Sequence, residues 1–187
     1  MKFVIPSYQR VELLKSKTLA FLKEQGVDPK DIYVFIRDDD SQIDEYNAIP
    51  DINVITLMDI RGIGNTHNAI TIYFPEDTWI TELDDDIHHV IDCKRDKISD
   101  FKTRIQTMVA IMQQEGISYG GFYQCSNPMF MSGNDEYTRD LRYMLGLMRI
   151  RKIDYKIKLE TNYSEDFENC ILHYLKDGAI LKNNWIA

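Results

Sequence analysis

The sequence predicts an α/β domain with a mixed, mostly parallel sheet flanked by helices, and three observations predict it. Short apolar runs alternate with amphipathic stretches from the N-terminus onward, the pattern of a layered α/β unit. Ile32-Tyr33-Val34-Phe35-Ile36 is apolar without a break, as in a strand covered on both faces. The 187 residues suit one domain able to bury most of its apolar surface, with no internal repeat, low-complexity tract or linker.

The elements follow in order. Phe3-Val4-Ile5 is a strand stopped by Pro6. Val11 to Gln25 reads as a helix, because Val11, Leu14, Phe21 and Leu22 share a face and Gly26 ends it. Strands follow at Ile32 to Ile36 and Asn53 to Leu57. Gly62 to Gly64 is a loop, and Asn65 to Phe74 is helical until Pro75. Thr78 to Leu83 is a strand that runs into Asp84-Asp85-Asp86. Phe101, Ile105, Met108 and Met112 mark one face of a helix capped near Ser99. Gly121 to Ser132 reads as strand and loop. Ile153, Tyr155, Ile157 and Leu159 alternate with charged residues, as in a strand with one wet face. A last helix starts at Ser164, carries Phe167, Cys170, Ile171, Tyr174 and Leu175, and ends at Gly178.

Composition excludes several classes. No apolar run approaches the ~20 residues that cross a bilayer, and the start of the chain has no signal-peptide pattern. A soluble cytoplasmic protein without a membrane partner is expected. Cys93, Cys125 and Cys170 are odd in number and far apart, which gives neither a disulfide framework nor a zinc site. The net charge of -8 argues against coating nucleic acid by charge alone. One stretch runs the other way: Arg142 to Lys158 holds six basic residues and one acid, either a solvated face balanced by acids elsewhere or a basic face where a polyanionic acceptor would dock.

Three aspartates at the carboxyl end of an apolar strand repel one another unless a cation neutralises them. Magnesium and manganese take one or two carboxylates plus phosphate oxygens, and open α/β sheets bind ligands beyond the carboxyl ends of their strands. Asp86 is the first choice of metal ligand. Asp84 either joins it or holds the ribose and metal waters, and Asp85 either orients a sugar or points away. Arg10 stands where a fixed cation meets a diphosphate. Gly62 to Asn68 is a glycine-containing loop that enters a helix, where backbone amides suit anionic oxygens. Arg61, Asn65, Thr66 and Asn68 are therefore expected to contact ribose or phosphate, with Gly64 in the same binding loop. Glu165 and Asp166 open the last helix, either as dipole-stabilising acids or as a catalytic pair. His67 reads as a helix residue satisfied by a neighbour, and His88 and His89 as a surface turn.

Glu82-Leu83-Asp84-Asp85-Asp86 contains an Asp-x-Asp signature after a strand, and Ser164-Glu165-Asp166-Phe167 follows some eighty residues later. With the opening strand and Pro6-Ser7-Tyr8-Gln9-Arg10, these resemble the GT-A (Rossmann-like) glycosyltransferases. The ordered set formed with Tyr33-Val34-Phe35, Gly64-Asn65-Thr66-His67-Asn68 and Trp79-Ile80 is most similar to the TET/JBP-associated, phage-type DNA-base glycosyltransferases, over roughly Phe3 to Gly178. The resemblance implies a divalent cation (Mn2+ or Mg2+) on Asp84 and Asp86 and a UDP-sugar donor. It places that donor against Pro6, Ser7, Tyr8, Arg10, Asp84 and Asp85. A carboxylate after the second strand, Asp38 first among Asp38, Asp39 and Asp40, would read the uracil edge. Asp166, with Glu165, would be the base. The acceptor implied is a 5-hydroxymethylated pyrimidine in phage DNA, in the host-cell cytoplasm. Residues 1–90 would then be the nucleotide-sugar half and residues 91–187 the acceptor half of one domain. Many GT-A enzymes add a C-terminal histidine ligand; here the last is His173, inside a predicted helix.

Other readings keep the fold and change the role: a glycan, lipid or protein acceptor, or a non-catalytic nucleotide-binding module. A nucleotidyltransferase would need a glycine- and lysine-rich N-terminal loop, which this sequence lacks.

Overall fold

The computed structural model describes residues 1–131 and 135–187. Its elements are β1 (Lys2–Pro6), α1 (Val11–Leu14), a π-helical turn (Lys15–Leu19), α2 (Ala20–Glu24), β2 (Ile32–Arg37), α3 (Ile43–Asn47), β3 (Asn53–Leu57), α4 (Ile63–Tyr73) and β4 (Trp79–Leu83). Then come α5 (Phe101–Glu115), β5 (Tyr119–Phe122), α6 (Pro128–Met131), β6 (Tyr137–Thr138), β7 (Met148–Lys152), α7 (Glu165–Asp177) and β8 (Leu181–Asn183).

The strands form one sheet in the order β3-β2-β1-β4-β7-β5-β8-β6. β1 pairs in parallel with both β2 and β4, and β2 with β3. The chain thus builds outward from β1, then returns to its other side with β4. That reversal opens a crevice past the carboxyl ends of β1 and β4, where doubly wound sheets bind ligands. β7 enters antiparallel to both β4 and β5, and β5 pairs in parallel with β8. One core lies under the helices on one face and includes Phe3, Leu22, Phe101 and Ile150; a smaller one, with Val4, Phe35, Ile70 and Ile80, lies on the other.

Three sequence expectations change. The strand expected over Ile153 to Leu159 is instead β7, five residues earlier. Residues 153–161 run as a loop although Ile153 and Leu159 are buried. Side chains satisfy this loop's backbone in place of a ladder: Asn68 bonds Leu159 through both its N–H and its C=O, at 2.9 and 2.8 Å. The cap of α5 does not come from Ser99, since the Phe101 N–H donates to Gln25 Oε1 at 3.0 Å. In the stretch read as Gly121 to Ser132, the strand starts earlier, at Tyr119, and Pro128–Met131 is helical; Ser132 itself lies outside the described residues.

The helix read over Val11 to Gln25 is continuous but takes a π turn at Lys15–Leu19. Such turns are rare and re-aim side chains. Here the fully buried Thr18 donates its hydroxyl to the Asp84 carbonyl at 2.7 Å and accepts from the Ile87 N–H at 2.9 Å. One hydroxyl therefore pins both ends of the aspartate turn. Thr18→Val keeps the shape and leaves two backbone groups unpaired. It is expected to lose roughly 1–3 kcal/mol in urea unfolding, with Thr18→Ser recovering most of it; an unchanged midpoint would show that the turn does not depend on this pin.

Candidate active site

The aspartates at the end of β4 have three different environments. Burial pushes the Asp84 carboxyl up to about 6, with Asp86, Asp85 and Asp166 adding repulsion and Arg149 opposing it. Asp85 is buried and bound inward: it accepts from Ser7 Oγ at 2.7 Å and from Arg10 Nη1 at 3.1 Å. Asp86 is 42% exposed, with Arg10 Nη1 at 3.9 Å. Asp84 and Asp86 thus offer oxygen donors, while Asp85 ties the β1 loop to the β4 loop. Tyr46, a residue the sequence reading passed over, completes that tie through its hydroxyl, 2.8 Å from Ser7 Oγ and 3.0 Å from the Arg10 N–H.

A cleft of about 410 Å³ opens over this turn, lined by Pro6, Ser7, Tyr8, Arg10, Asp84 and Asp85 together with Arg37, Gly62 and Ile63. Six of the expected donor residues therefore meet at one place. A deeper cavity of about 140 Å³ adjoins it, sharing Pro6, Ile63 and Asp84, and is walled by Glu82, Gly146, Arg149, Glu165 and Asp166. A third opening, about 270 Å³, lies beyond Asp86, His88 and His89 and shares Leu145 and Leu147 with the deep cavity.

The three aspartates after β2 also separate. Asp38 is not among the residues lining the cleft; it is held below the usual carboxylate range by the Asp59 N–H and by Arg61, whose Nη1 is at 2.7 Å. Asp39 pairs with Arg37 at 2.5 Å, and the Arg37 guanidinium lies 4.3 Å from the Tyr8 ring centroid. Asp40 is buried and structural: it accepts from the N–H of Gln9, which has φ 55°, and from that of Gln42.

The glycine loop differs from expectation. A Cβ on Gly64 would lie 2.0 Å from the Thr161 carbonyl oxygen, and one on Gly62 2.3 Å from Asn162 Oδ1. The Asn65 N–H donates to that same Asn162 oxygen at 3.1 Å, and Asn68 is used on Leu159. Gly64, Asn65 and Asn68 therefore seat the 159–162 segment of the chain, while Gly62, Ile63 and Thr66 at the same helix end line the cleft. The glycines serve close backbone approach.

Two arginines of the basic stretch leave the surface for the core. Register puts Arg149 opposite Glu82, with Arg151 two residues along on the same face. Both arginines are buried on the Glu82 carboxylate: Arg149 through Nε, and Arg151 through Nη2 at 2.6 Å. Arg149 Nη1 donates to Asp166 Oδ1 at 3.0 Å, and Nη2 lies 2.5 Å from His67 Nε2. Of the other four, Arg142 pairs with Asp140, Lys152 with Asp77 and Lys158 with Glu160, while Lys156 is exposed. Glu82 was the legible sign: a carboxylate inside an apolar strand needs a buried cation. Burial raises the Glu165 carboxyl. His173, stacked on Tyr119 and 3.0 Å from Ser118 Oγ, is buried away from the cleft.

Among the described residues, no three His, Cys, Asp or Glu side chains form a ready-made metal cage. The donor set at Asp84 and Asp86 fits a hard cation completed by phosphate oxygens and water. No described helix is long and apolar enough to cross a membrane.

No family model matches the chain, and no curated protein sequence does. Solved structures do. S. aureus TarS 1-349 superposes with TM-score 0.65 at 17% identity, over 98% of this chain and 58% of that one. The fold is of the GT-A type. The mannosyltransferase PcManGT from Pyrobaculum calidifontis, solved with GDP-Man and Mn2+, gives 0.61 at 12% identity over 98% and 56%. M. tuberculosis glucosyl-3-phosphoglycerate synthase gives 0.59 at 15% identity over 97% and 68%. This chain thus spans little more than half the length of the first two.

The buried network fixes an acid limit. Burial, then Arg149, pushes the His67 imidazole down to about 4 from an ordinary 6.5. Between those values the unfolded chain holds a proton that the folded one does not, so stability is full above pH 6.5 and falls as pH drops through 4. The expected loss is roughly 3 kcal/mol. Urea unfolding from pH 7 to 4 should show a shallower fall in His67→Gln than in the wild type; equal slopes would contradict a buried neutral imidazole.

Proposed function

We propose that this chain is a metal-dependent glycosyltransferase that moves a sugar from a nucleotide diphosphate sugar to an acceptor hydroxyl. One observation carries the reading: Asp84 lines both the wide cleft and the deep cavity, and Asp166 stands in the wall of the latter. The GT-A fold supports it. So do the relatives of that fold solved with UDP-GlcNAc, with GDP-Man and Mn2+, and with UDP and Mn2+.

In this reading Pro6, Ser7, Tyr8 and Arg10 hold the nucleotide, a UDP-sugar in the first instance, with Asp38 and Arg61 at its base edge. Asp84 and Asp86 hold Mn2+ or Mg2+, which when bound neutralises the charge on the departing diphosphate. Asp85 keeps Arg10 aimed at that diphosphate. The sugar occupies the deep cavity. Asp166, with Glu165 beside it, takes the acceptor proton while the acceptor oxygen attacks C1 from the face opposite the leaving group.

The acceptor enters from the side of Asp86, His88 and His89. A 5-hydroxymethylated pyrimidine in phage DNA, which would have to be flipped out of the duplex, rests mainly on the sequence resemblance, because Arg149 and Arg151 of the basic stretch that favoured it are buried on Glu82. Glycan, lipid and protein acceptors suit the same site.

Calorimetric titration of UDP-glucose and then GDP-mannose, with Mn2+ and with chelator, tests the donor site. Mn2+-dependent binding is expected in the wild type, reduced at least tenfold in Asp86→Ala. Absence of binding across the panel would sink the assignment. Label transfer from the bound donor to hydroxymethylated oligonucleotides, against glycans, then decides the acceptor.

A further inference from the structure

We propose that Arg149 and Gly146 are positioning residues that aim the Asp166 carboxylate at the acceptor. The inference rests on Asp166 being the base of the proposed transfer.

The Arg149 guanidinium is 1% exposed and held on three sides. Nε donates to Glu82, Nη2 faces the His67 ring at 2.5 Å, and Nη1 donates to Asp166 Oδ1 at 3.0 Å. A planar fork fixed at two corners has one direction left for the third. It grips one carboxylate oxygen of Asp166 and leaves Oδ2, which has no hydrogen-bond partner among the described residues. Asp166 lines the deep cavity with its side chain 16% exposed.

Gly146 makes this grip possible. It sits in the turn before β7, and a Cβ there would come within 2.6 Å of Asp166 Oδ1 and 3.4 Å of Arg149 Nη1. Any side chain at 146 pushes the carboxylate off its anchor. Its φ is not in the left-handed region, so the requirement is for space and not for backbone freedom.

The step balances with these groups alone. The acceptor O–H proton passes to Asp166 Oδ2 as the new O–C1 bond forms. The C1–O bond to the diphosphate breaks, and its electron pair leaves with the nucleoside diphosphate. Arg149 remains protonated throughout, its charge matched by Glu82. Orientation is where such a residue acts, because misplacing a catalytic group by about 1 Å lowers a rate by ~100-fold.

The test uses the full chain with Mn2+ and UDP-glucose or GDP-mannose, measuring nucleotide release with water as acceptor. Asp166→Asn should lower kcat by ~100-fold or more with KM unchanged. Gly146→Ala should lower kcat by ~10–100-fold, with KM within about twofold and an unchanged thermal midpoint. Arg149→Lys should retain more turnover than Arg149→Met; if both Arg149 variants fail to fold, Gly146→Ala carries the test, since it lies outside the strands. Full activity in Gly146→Ala beside a dead Asp166→Asn overturns the positioning role, as does a loss that appears in KM or in the thermal midpoint. An active Asp166→Asn removes the base assignment itself. No nucleotide release by the wild type from either donor takes the proposed function down and this inference with it.

Discussion

The arrangement of this molecule depends on one buried carboxylate. Glu82 sits next to the carboxyl end of β4, 1% exposed, between two arginines that are themselves out of water. Taking three charges out of water costs several kcal/mol per ion, and only good geometry with every remaining donor satisfied offsets it. The geometry here is good. Arg151 also donates to Thr71 Oγ1 at 2.7 Å, and Arg149 also reaches His67 and Asp166. The result is a polar spine linking β4, β7, α4 and α7. It also penalises errors: sliding β7 by one residue along β4 would turn both arginines to the opposite face and leave Glu82 buried and alone.

The aspartate turn shows how neighbours of identical chemistry acquire different properties. Asp84, Asp85 and Asp86 are consecutive, so residue type alone does not separate them. Burial does: Asp85 is spent on Ser7 and Arg10, Asp84 faces the cleft with a strained charge, and Asp86 remains half in solvent. Their backbone is held from below by Thr18, whose placement depends on a π turn that no hydrophobic periodicity signals.

Legibility follows the same physics. The first four strands were readable because uninterrupted apolar runs bounded by Gly, Pro and Asp have one sensible structure, and the place of the three aspartates just past the fourth strand was readable for the same reason. β7 was not. Met148-Arg149-Ile150-Arg151-Lys152 looks like a charged surface strand, and only the carboxylate of Glu82, sixty-seven residues away, makes it a core strand. Gly64, Asn65 and Asn68 looked like phosphate ligands for a similar reason: their partners, Thr161, Asn162 and Leu159, are over ninety residues distant, beyond what a local pattern reports.

Those long reaches bear on how the chain comes off the ribosome. β1 to β4 are all made by residue 90, yet Glu82 acquires its arginine counterions only when Arg149 and Arg151 have been made, and the mouth of α4 is filled only once Asn162 has been made. At ~5–20 residues per second, the gap between Glu82 and Arg149 alone lasts roughly 3–13 s. Through that interval Glu82 has His67 beside it but neither of its arginine partners. The two halves named from the sequence are consequently not exchangeable modules: grafting residues 1–90 onto another acceptor half would transfer the cleft without the spine that lets it close.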